Sequence, residues 1–391
     1  MTFANLALIC AVAILGPVLA VQKWAHLPVV LGELLVGFLL GATGLQVLHA
    51  GDPTFTFFGD VGFALVMLVA GAHVPVRSPQ LRQGLRGGLL RAVAVGVLAI
   101  PAGLALAALF GTGNGPLYAV LLASSSASLV MPSLAGLPLT APAIVSMLAQ
   151  IAVADATCIV LLPLAIQPAS APARALGALA VLVGAGVVFL FLRWAERSGR
   201  RKAVHDLSED RGLALELRTS LALLFGLAAL AQMVHVSVML AGFGVGLALA
   251  AVGEPRRLAK QLFALTEGFF GPIFFVWLGS SLDLRQVLSH PSMAALGLAL
   301  GLSAALVHGL MAFTRQPWPV AVVTCAQLGV PVAAATLGRS EGILAPGEDA
   351  ALLLGALITI GVTAALSGRV AGLATAGAVP QGPAAAGTAA K

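Results

Sequence analysis

The sequence predicts an all-α polytopic membrane protein with about thirteen transmembrane helices. Of its 391 residues, 59% are hydrophobic and only 9% are charged, whereas soluble domains carry roughly 25% charged residues. The mean hydropathy is +1.02, and apolar stretches of about 20 residues, enough to cross a bilayer, recur from one end of the chain to the other. Soluble, secreted, fibrous and disordered classes are therefore excluded.

Thirteen apolar stretches of helical length are separated by charged residues, Pro or Gly. The first seven are 3–21, 27–45, 54–74, 87–110, 115–137, 142–166 and 173–193. The other six are 212–233, 236–252, 258–281, 292–313, 317–338 and 350–370. No basic segment precedes the first stretch, so we interpret it as a span and not as a signal peptide.

A polar loop at 194–211 divides a membrane domain of residues 1–370 into two halves, 1–193 and 212–370. Its mixed charge is typical of a solvated cytoplasmic connection. The segment 371–391 is rich in Ala, Gly and Pro and is predicted to form a disordered cytoplasmic tail.

The basic residues predict the orientation of the chain in the plasma membrane, since cytoplasmic loops hold most Lys and Arg. With the N-terminus outside, seventeen of the 21 Lys and Arg residues fall in cytoplasmic segments, and the exceptions are Arg174, Arg218, Arg285 and Arg339. An odd number of spans and a cytoplasmic C-terminus follow. The net charge of +6 thus indicates orientation and no nucleic-acid partner, because the basic residues lie in short loops with almost no aromatic neighbours.

Two predicted spans contain polar stretches that are unusual at membrane depth. These are 124–128 (SSSAS), which runs on to Pro132, and 324–331 (TCAQLGVP). Polar segments interrupted by Gly or Pro at corresponding positions of two halves indicate an inverted-repeat transporter, whose site lies between broken helices near the bilayer midplane.

Asp155 is the most informative ionisable residue. It lies in the middle of the apolar run 151–166 (IAVADATCIVLLPLAI), and no basic residue shares its helix. A charge at a helix centre costs about 2.5–3.5 kcal/mol, so this position predicts a function. An apolar surrounding disfavours the ionised carboxyl group, which can then alternate between a proton and a monovalent cation. Oxygen atoms of carboxylate, hydroxyl, amide and freed carbonyl groups would bind such a cation; a structural, hydrogen-bonded acid is the alternative.

The other ionisable groups in the spans have mixed interpretations. Glu33 follows Gly32 near the start of a span, where the helix dipole favours a structural acid. Glu267 is predicted either to join two helices or to belong to an ion path.

The remaining polar groups are expected to be structural. His73 and His308 are interpreted as satisfied polar contacts, and Asp60 as a helix cap near the outer surface. Glu216 and Arg218 are expected to pair with lipid headgroups or with each other. The cysteines, Cys10, Cys158 and Cys325, lie in apolar stretches without metal-ligand spacing, so neither a metal centre nor a cofactor is predicted.

Several of these stretches together resemble a known family. They are 28–45 (PVVLGELLVGFLLGATGL), 62–71 (GFALVMLVAG), 124–134 (SSSASLVMPSL), 149–165 (AQIAVADATCIVLLPLA) and 269–284 (FFGPIFFVWLGSSLDL). They resemble the monovalent cation:proton antiporter-2 group, the bacterial sodium/proton exchanger superfamily that includes the potassium-efflux antiporters. The resemblance implies a thirteen-helix inverted repeat with two discontinuous crossing helices, a core domain, a dimerisation domain and hence a homodimer.

The resemblance also implies site residues. Asp155 matches the family's essential aspartate on the sixth helix. The unwound part of the fifth helix would hold Ser124, Ser125, Ser126 and Ser128, and that of the twelfth would hold Gln327 with Gly329. Residues predicted to assist are Glu33, Glu267, Gln150 and Thr157.

Some positions depart from the family pattern. Ala154 replaces a possible second acid or Gln, Trp277 stands where some members have a lysine, and Val330 replaces a glutamate. His73 replaces an acid, and no GxGxxG motif indicates a nucleotide-binding domain.

The resulting prediction is electroneutral exchange of Na⁺ or K⁺ for H⁺ at Asp155, by a transporter and not an enzyme. Because polar partners are missing, two alternatives stay open. One is a protein of the same fold without coupled exchange, acting as a channel-like pathway or a sensor, and the other is a solute symporter.

Overall fold

The structure is a computed structural model that describes residues 1–21, 29–74, 76–77, 79–127, 129–130, 141–166, 170–253, 256–281 and 291–376. In these ranges the chain forms helices and no strand. The helices are α1 (Phe3–Ala13), α2 (Leu15–Val21), α3 (Val29–Leu40), α4 (Pro53–Ala72), α5 (Pro79–Phe110), α6 (Gly115–Ala123), α7 (Pro142–Ile166), α8 (Ala171–Arg197), α9 (Arg200–Asp210), α10 (Leu215–Met233), α11 (Val238–Val252), α12 (Arg256–Leu265), α13 (Gly271–Ser281), α14 (Pro291–Gly309), α15 (Trp318–Val323), α16 (Gly329–Ser340) and α17 (Glu348–Ala376). A π-helix (Thr266–Phe270) joins α12 to α13, and a 3₁₀-helix (Leu310–Thr314) follows α14.

The predicted all-helical membrane fold is confirmed. Eight helical stretches in the described ranges are long and apolar enough to cross a membrane: Pro53–Ala72, Gly84–Phe110, Pro142–Ile166, Ala171–Arg197, Leu215–Met233, Arg257–Ser281, Pro291–Thr314 and Glu348–Thr375. Phe3–Val18 and Val238–Val252 are shorter apolar helices. Every predicted span overlaps a described helix, but the total of thirteen spans stays a prediction because several segments are short or interrupted.

The helices pack as two groups. We call α5, α6, α7 and α14 to α17 the site bundle, because they pack on one another and contain both helix interruptions. We call α1 to α4 and α8 to α13 the flanking bundle, in which α4 packs on α11, α3 on α13, and α8 on α11. Contact between the bundles is less extensive and includes the packing of α7 on α8.

Glycines allow very close helix packing in the flanking bundle. A Cβ atom added at Gly37 would lie 2.2 Å from the carbonyl oxygen of Val276 on α13. One added at Gly246 of α11 would lie 2.2 Å from the carbonyl oxygen of Leu68 on α4. Small residues let membrane helices approach until their backbones touch, so these positions fix the flanking bundle as a tightly packed unit.

The two faces of the molecule can be distinguished by their contacts. The amino group of Met1 pairs with Asp52 on what we call the N-terminal face. The turn at Arg77 is at the other end of α4, and the Arg77 side chain lies against Gly253. We call this side of the molecule the opposite face.

The predicted cap of α4 is wrong. Asp52, and not Asp60, caps the helix: its Oδ1 accepts hydrogen bonds from the backbone N–H groups of Thr54 (2.9 Å) and Phe55 (3.0 Å). Pro53 occupies the first turn, where its missing N–H is harmless. Asp60 lies two turns inside the helix.

The polar connection between the halves is helical and not an irregular loop. Helix α8 continues to Arg197, and α9 occupies most of the segment that remains. Glu216, predicted to pair with Arg218 or with headgroups, instead places its carboxylate 3.0 Å from Nδ1 of His205 on α9. The hydroxyl of Ser208 accepts a hydrogen bond from the backbone N–H of Leu215 at 3.0 Å and so caps α10.

The predicted tail begins too early. Helix α17 continues to Ala376, so residues 371–376 are helical and not disordered. Alanine has the highest helix propensity, and this segment is rich in alanine. The rest of the predicted tail, 377–391, lies outside the described residues.

Candidate functional site

Both predicted helix interruptions are present in the site bundle. Helix α6 ends at Ala123, and the hydroxyl of Ser124 donates a 2.8 Å hydrogen bond to the carbonyl of Leu121. Serine hydroxyls compete in this way with the helical backbone pattern. The second interruption separates α15, which ends at Val323, from α16, which begins at Gly329.

The two interruptions meet in space. The hydroxyl of Ser125 donates a 2.6 Å hydrogen bond to the backbone carbonyl of Thr324, 199 residues away in sequence. Ser124, Ser125 and Ser126 are all at most 3% exposed. Backbone groups released from helical hydrogen bonding are thus collected at one buried place, which is where a transporter fold can bind an ion.

Asp155 lies beside the first interruption. It is 7% exposed on α7, and its Oδ2 accepts a 3.3 Å hydrogen bond from the backbone N–H of Ala127. None of the ion pairs between described residues involves Asp155. Among the described residues the buried carboxylate thus has one weak backbone donor and no ion-pair partner, an arrangement in which a charge is costly unless it is compensated.

Thr324 connects the surrounding polar groups. Its hydroxyl oxygen lies 3.2 Å from Nε2 of Gln150 on α7 and 2.7 Å from Nδ1 of His308 on α14. The Nε2 atom of His308 lies 3.1 Å from the carbonyl oxygen of Leu122, which can only accept, so this nitrogen carries the hydrogen. Gln316 completes the group by donating to Oε1 of Gln150 at 3.2 Å.

These contacts show which polar residues the sequence analysis missed. Thr324 and Gln316 were not predicted as site residues, although Thr324 opens the second polar stretch. His308 was expected to be a satisfied polar contact, and it is fully buried with both ring nitrogens engaged. The only sequence signal was the presence of a histidine late in an apolar span.

Gln327 occupies the second interruption. It is 4% exposed, and its backbone N–H donates to the hydroxyl of Thr359 on α17 at 3.2 Å. Its side-chain Nε2 is buried without a hydrogen-bond partner among the described residues. Its backbone N–H is thus fixed, while its side-chain nitrogen is unpaired among the described residues.

The predicted accessory residues divide into two sets. Gln150 is at the site, as described above, whereas Thr157 is exposed on the surface of α7, about 200° around the helix from Asp155. Ser128 lies outside the described residues.

Glu33 and Glu267 are not at the site either. Both belong to the flanking bundle, Glu33 on α3 with 3% exposure and Glu267 in the exposed part of the π-helix. The two carboxylates lie close enough to interact electrostatically. Neither has a hydrogen bond to the group around Asp155 in the described chain.

A small gap between the bundles lies on the side of Asp155 that is nearer the opposite face. Its volume is about 10 Å³, and it is lined by His73 and Val74 of the flanking bundle and by Ala127, Leu148 and Ala152 of the site bundle, among others. This is room for a single water molecule. Ala127, whose backbone N–H donates to Asp155, separates this gap from the carboxylate, which does not itself line it.

A larger cavity of about 750 Å³ opens on the N-terminal face. Gln46, His49 and Ser281 of the flanking bundle line one side, and Arg339 and Asp349 of the site bundle line the other. None of its lining residues belongs to the group around Asp155.

Interrupted helices that meet beside a buried carboxylate are typical of the folds of secondary membrane transporters. The profile of the family described as sodium/hydrogen exchanger, transmembrane, matches residues 10–369. The chain belongs to this family, and the predicted resemblance is confirmed.

Individual relatives agree with this assignment. The chain is 24% identical to YjbQ of Bacillus subtilis over 379 residues, which are 91% of this chain and 61% of YjbQ. It is 27% identical to the Na(+)/H(+) antiporter NhaS5 of Synechocystis over 334 residues, 80% of this chain and 45% of NhaS5. This chain thus spans less than two thirds of the length of either relative.

A solved structure shows the same fold. The sodium proton antiporter MjNhaP1 of Methanocaldococcus jannaschii superimposes with a TM-score of 0.61 at 18% sequence identity, covering 95% of this chain and 98% of MjNhaP1. At this identity the likeness establishes the fold alone.

Proposed function

We propose that this protein exchanges a monovalent cation, Na⁺ or K⁺, for H⁺, and that Asp155 binds either ion in turn. The observation that carries the proposal is the Asp155 carboxylate, which is 7% exposed and, among the described residues, has the N–H of Ala127 at 3.3 Å as its hydrogen-bond donor and no ion-pair partner. A buried charge without a partner is costly, so the group gains by binding a proton or a cation. The similar proteins NhaS5 and MjNhaP1 are named as sodium/proton antiporters, which supports this choice of ions.

The helix interruptions would supply the other cation ligands. Ser125, Ser126 and Gln327 are buried next to backbone segments that leave the helical pattern. Hard monovalent cations are bound by such hydroxyl, amide and carbonyl oxygens. Ser124 and Ser128, which flank this part of the fifth span, would act through the same backbone segment.

Exchange would proceed by alternating access, with the site bundle moving against the flanking bundle. The division into two packing groups supports this mechanism, because each can move as a unit. The small gap near Asp155 lies toward the opposite face, whereas the lining of the larger cavity at the N-terminal face includes no residue of the group around Asp155. This asymmetry supports a transporter in one of its two access states. We further infer that two copies associate through the flanking bundle, as the family resemblance implies.

Exchange should be electroneutral, because one carboxylate holds either one proton or one monovalent cation. In proteoliposomes, adding Na⁺ should therefore move protons, seen as dequenching of a pH-sensitive dye, and the final pH gradient should not depend on membrane voltage. Voltage contributes about 2.3 kcal/mol per charge per 100 mV, so even one net charge per cycle would be visible.

The voltage would be set with valinomycin and a potassium gradient, and the same gradient without valinomycin is the control. Dye dequenching that failed for Na⁺, K⁺ and Li⁺ alike would contradict exchange and favour a protein without coupled transport. A pH gradient that shifted with the imposed voltage would instead disprove the single-carboxylate stoichiometry.

We place the N-terminal face outside and the opposite face in the cytoplasm, because the basic residues concentrate in the loops of the opposite face. A cysteine introduced at Lys391 in a variant without native cysteines should then be protected in intact cells from an impermeant thiol reagent. It should react after the cells are opened, and a cysteine at Gln46 should react in both cases. Labelling at position 391 in intact cells would show that the chain has the reverse orientation.

A further inference from the structure

We propose that Arg174 is a positioning residue for exchange: its ion pair with Glu341 holds the two bundles together at the N-terminal face and so favours the state in which the site opens toward the opposite face. This inference rests on the proposed alternating access. Each of the other ion pairs between described residues joins residues of a single bundle.

Arg174 is fixed to the flanking bundle. It is 6% exposed on the first turn of α8, its Nε donates to the hydroxyl of Ser170 (3.0 Å), and its Nη1 donates to the carbonyl of His235 (3.3 Å). His235 has a φ of 54°, an unusual value for a residue other than glycine. A Cβ atom added at Gly177 would lie 2.9 Å from the carbonyl oxygen of Val234, so α8 also packs tightly on this turn.

Glu341 is fixed to the site bundle. It directly follows α16, and its backbone N–H donates to the carbonyl of Leu337 at 3.1 Å. Its carboxylate pairs with Nη2 of Arg174 and is 20% exposed. A half-buried arginine-carboxylate pair is screened less by water and salt than a fully exposed one.

Helix α16 links this ion pair to the ion site. Its 12 residues span about 18 Å at the rise of an α-helix, from the interruption at Gly329 to the end at Ser340. Movement of the site along the membrane normal would carry α16 with it and would pull Glu341 away from Arg174. The pair is therefore compatible with one access state and is lost in the other.

The effect on the two states follows from their relative populations. A contact that exists in only one state raises the population of that state and the apparent affinity of ligands that bind to it. Removing the pair should shift the protein toward the state open at the N-terminal face.

The matched control is the ion pair between Arg339 and Asp349. It lies at the same face, two residues from Glu341, but joins α16 to α17 within the site bundle. Breaking it removes an arginine-carboxylate pair at the same face, with a more exposed arginine, without releasing one bundle from the other.

The test measures access to the gap directly. Ala152, which lines the gap, is replaced by cysteine in a background of Cys10→Ser, Cys158→Ser and Cys325→Ser. Ag⁺, a thiol-reactive cation close in size to a water molecule, is added at the opposite face. We expect Arg174→Gln and Glu341→Gln each to slow labelling by about threefold or more. The double variant should be no slower than either single one, because both remove the same contact. Arg339→Gln should label at the parent rate.

A second readout uses transport. The half-saturating Na⁺ concentration should rise at the opposite face and fall at the N-terminal face in Arg174→Gln, whereas a merely destabilised protein would lose activity at both faces. Glu341→Gln tests the same contact if Arg174→Gln folds poorly.

Unchanged labelling in Glu341→Gln, or equal slowing in Arg339→Gln, would overturn the role of Arg174. Slower labelling in a protein that showed no cation-dependent proton movement would support the ion pair while refuting the proposed exchange.

Discussion

Asp155→Asn is expected to abolish cation-driven proton movement while leaving the protein folded. Asparagine has the size of aspartate, and its carbonyl oxygen can still accept the hydrogen bond from the backbone N–H of Ala127. It cannot take up and release a proton, and it carries no charge for a cation. Dequenching of a pH-sensitive dye on addition of Na⁺ should fall to the level of liposomes without protein.

Stability should not fall together with activity. An isolated buried charge disfavours the folded state, so thermal unfolding of Asp155→Asn in detergent should occur at the same temperature as the parent or higher. Loss of transport would then result from the missing carboxylate and not from misfolding.

Glu33→Gln is the matched control. Glu33 is also a buried carboxylate, with 3% exposure, but it lies on α3 in the flanking bundle. Its variant should retain exchange. Parent-level exchange in Asp155→Asn would exclude the mechanism, and loss of exchange in both variants would show that more than one carboxylate is needed.

The helices could be predicted from the sequence, and Asp155 could be proposed as a site residue, because their signals are local. In lipid, the backbone N–H and C=O groups of an apolar run must form their hydrogen bonds within the run, which requires a helix. The serines of 124–128 and the Gly and Pro residues near Gly329 mark the places where the helix is interrupted. Asp155 was identifiable because no basic residue accompanies it in an apolar helix.

The partners of these residues could not be predicted, because they depend on contacts far apart in sequence. The hydroxyl of Thr324 meets Gln150 and His308, and only the packing of three helices brings them together. Thr157 is close to Asp155 in sequence, but a shift of two residues turns a helical side chain by about 200°, and Thr157 is exposed on the surface of α7.

The error at Asp60 has a local cause. The Asp-Pro pair at Asp52 is a helix-start signal, since aspartate accepts from free N–H groups and proline fits the first turn. The sequence analysis instead interpreted Asp60, which lies inside the helix, as the cap at the end of the helix. The same signal correctly applied would have placed the cap at Asp52 from sequence alone.

The second large effect expected is a steep pH dependence of cation affinity. A proton and a cation cannot occupy one carboxylate together, so each competes with the other. As the pH falls, a growing fraction of Asp155 is protonated, and more cation is needed to displace the proton. The apparent affinity should therefore weaken toward acid pH and become constant where the carboxyl group is fully ionised.

Competition for one site also determines how steeply the half-saturating Na⁺ concentration depends on pH. On the acid side the half-saturating Na⁺ concentration should rise about tenfold for each unit of pH, because one proton is displaced per cation. The maximal rate of exchange should be the same at every pH, because enough Na⁺ displaces the competing proton. Li⁺ and Na⁺ should differ in affinity and share the same pH profile, since the competing proton is the same.

The measurement is the half-saturating Na⁺ concentration for dye dequenching, taken at several pH values with the same buffer on both sides of the membrane. A half-saturating concentration that stayed constant while the maximal rate fell would indicate a separate regulatory group and not a shared carboxylate. A rise near a hundredfold per pH unit would mean that two protons are displaced. Glu33 and Glu267 would then be the groups to test, because they are close enough to interact, and Glu33→Gln should restore the tenfold dependence.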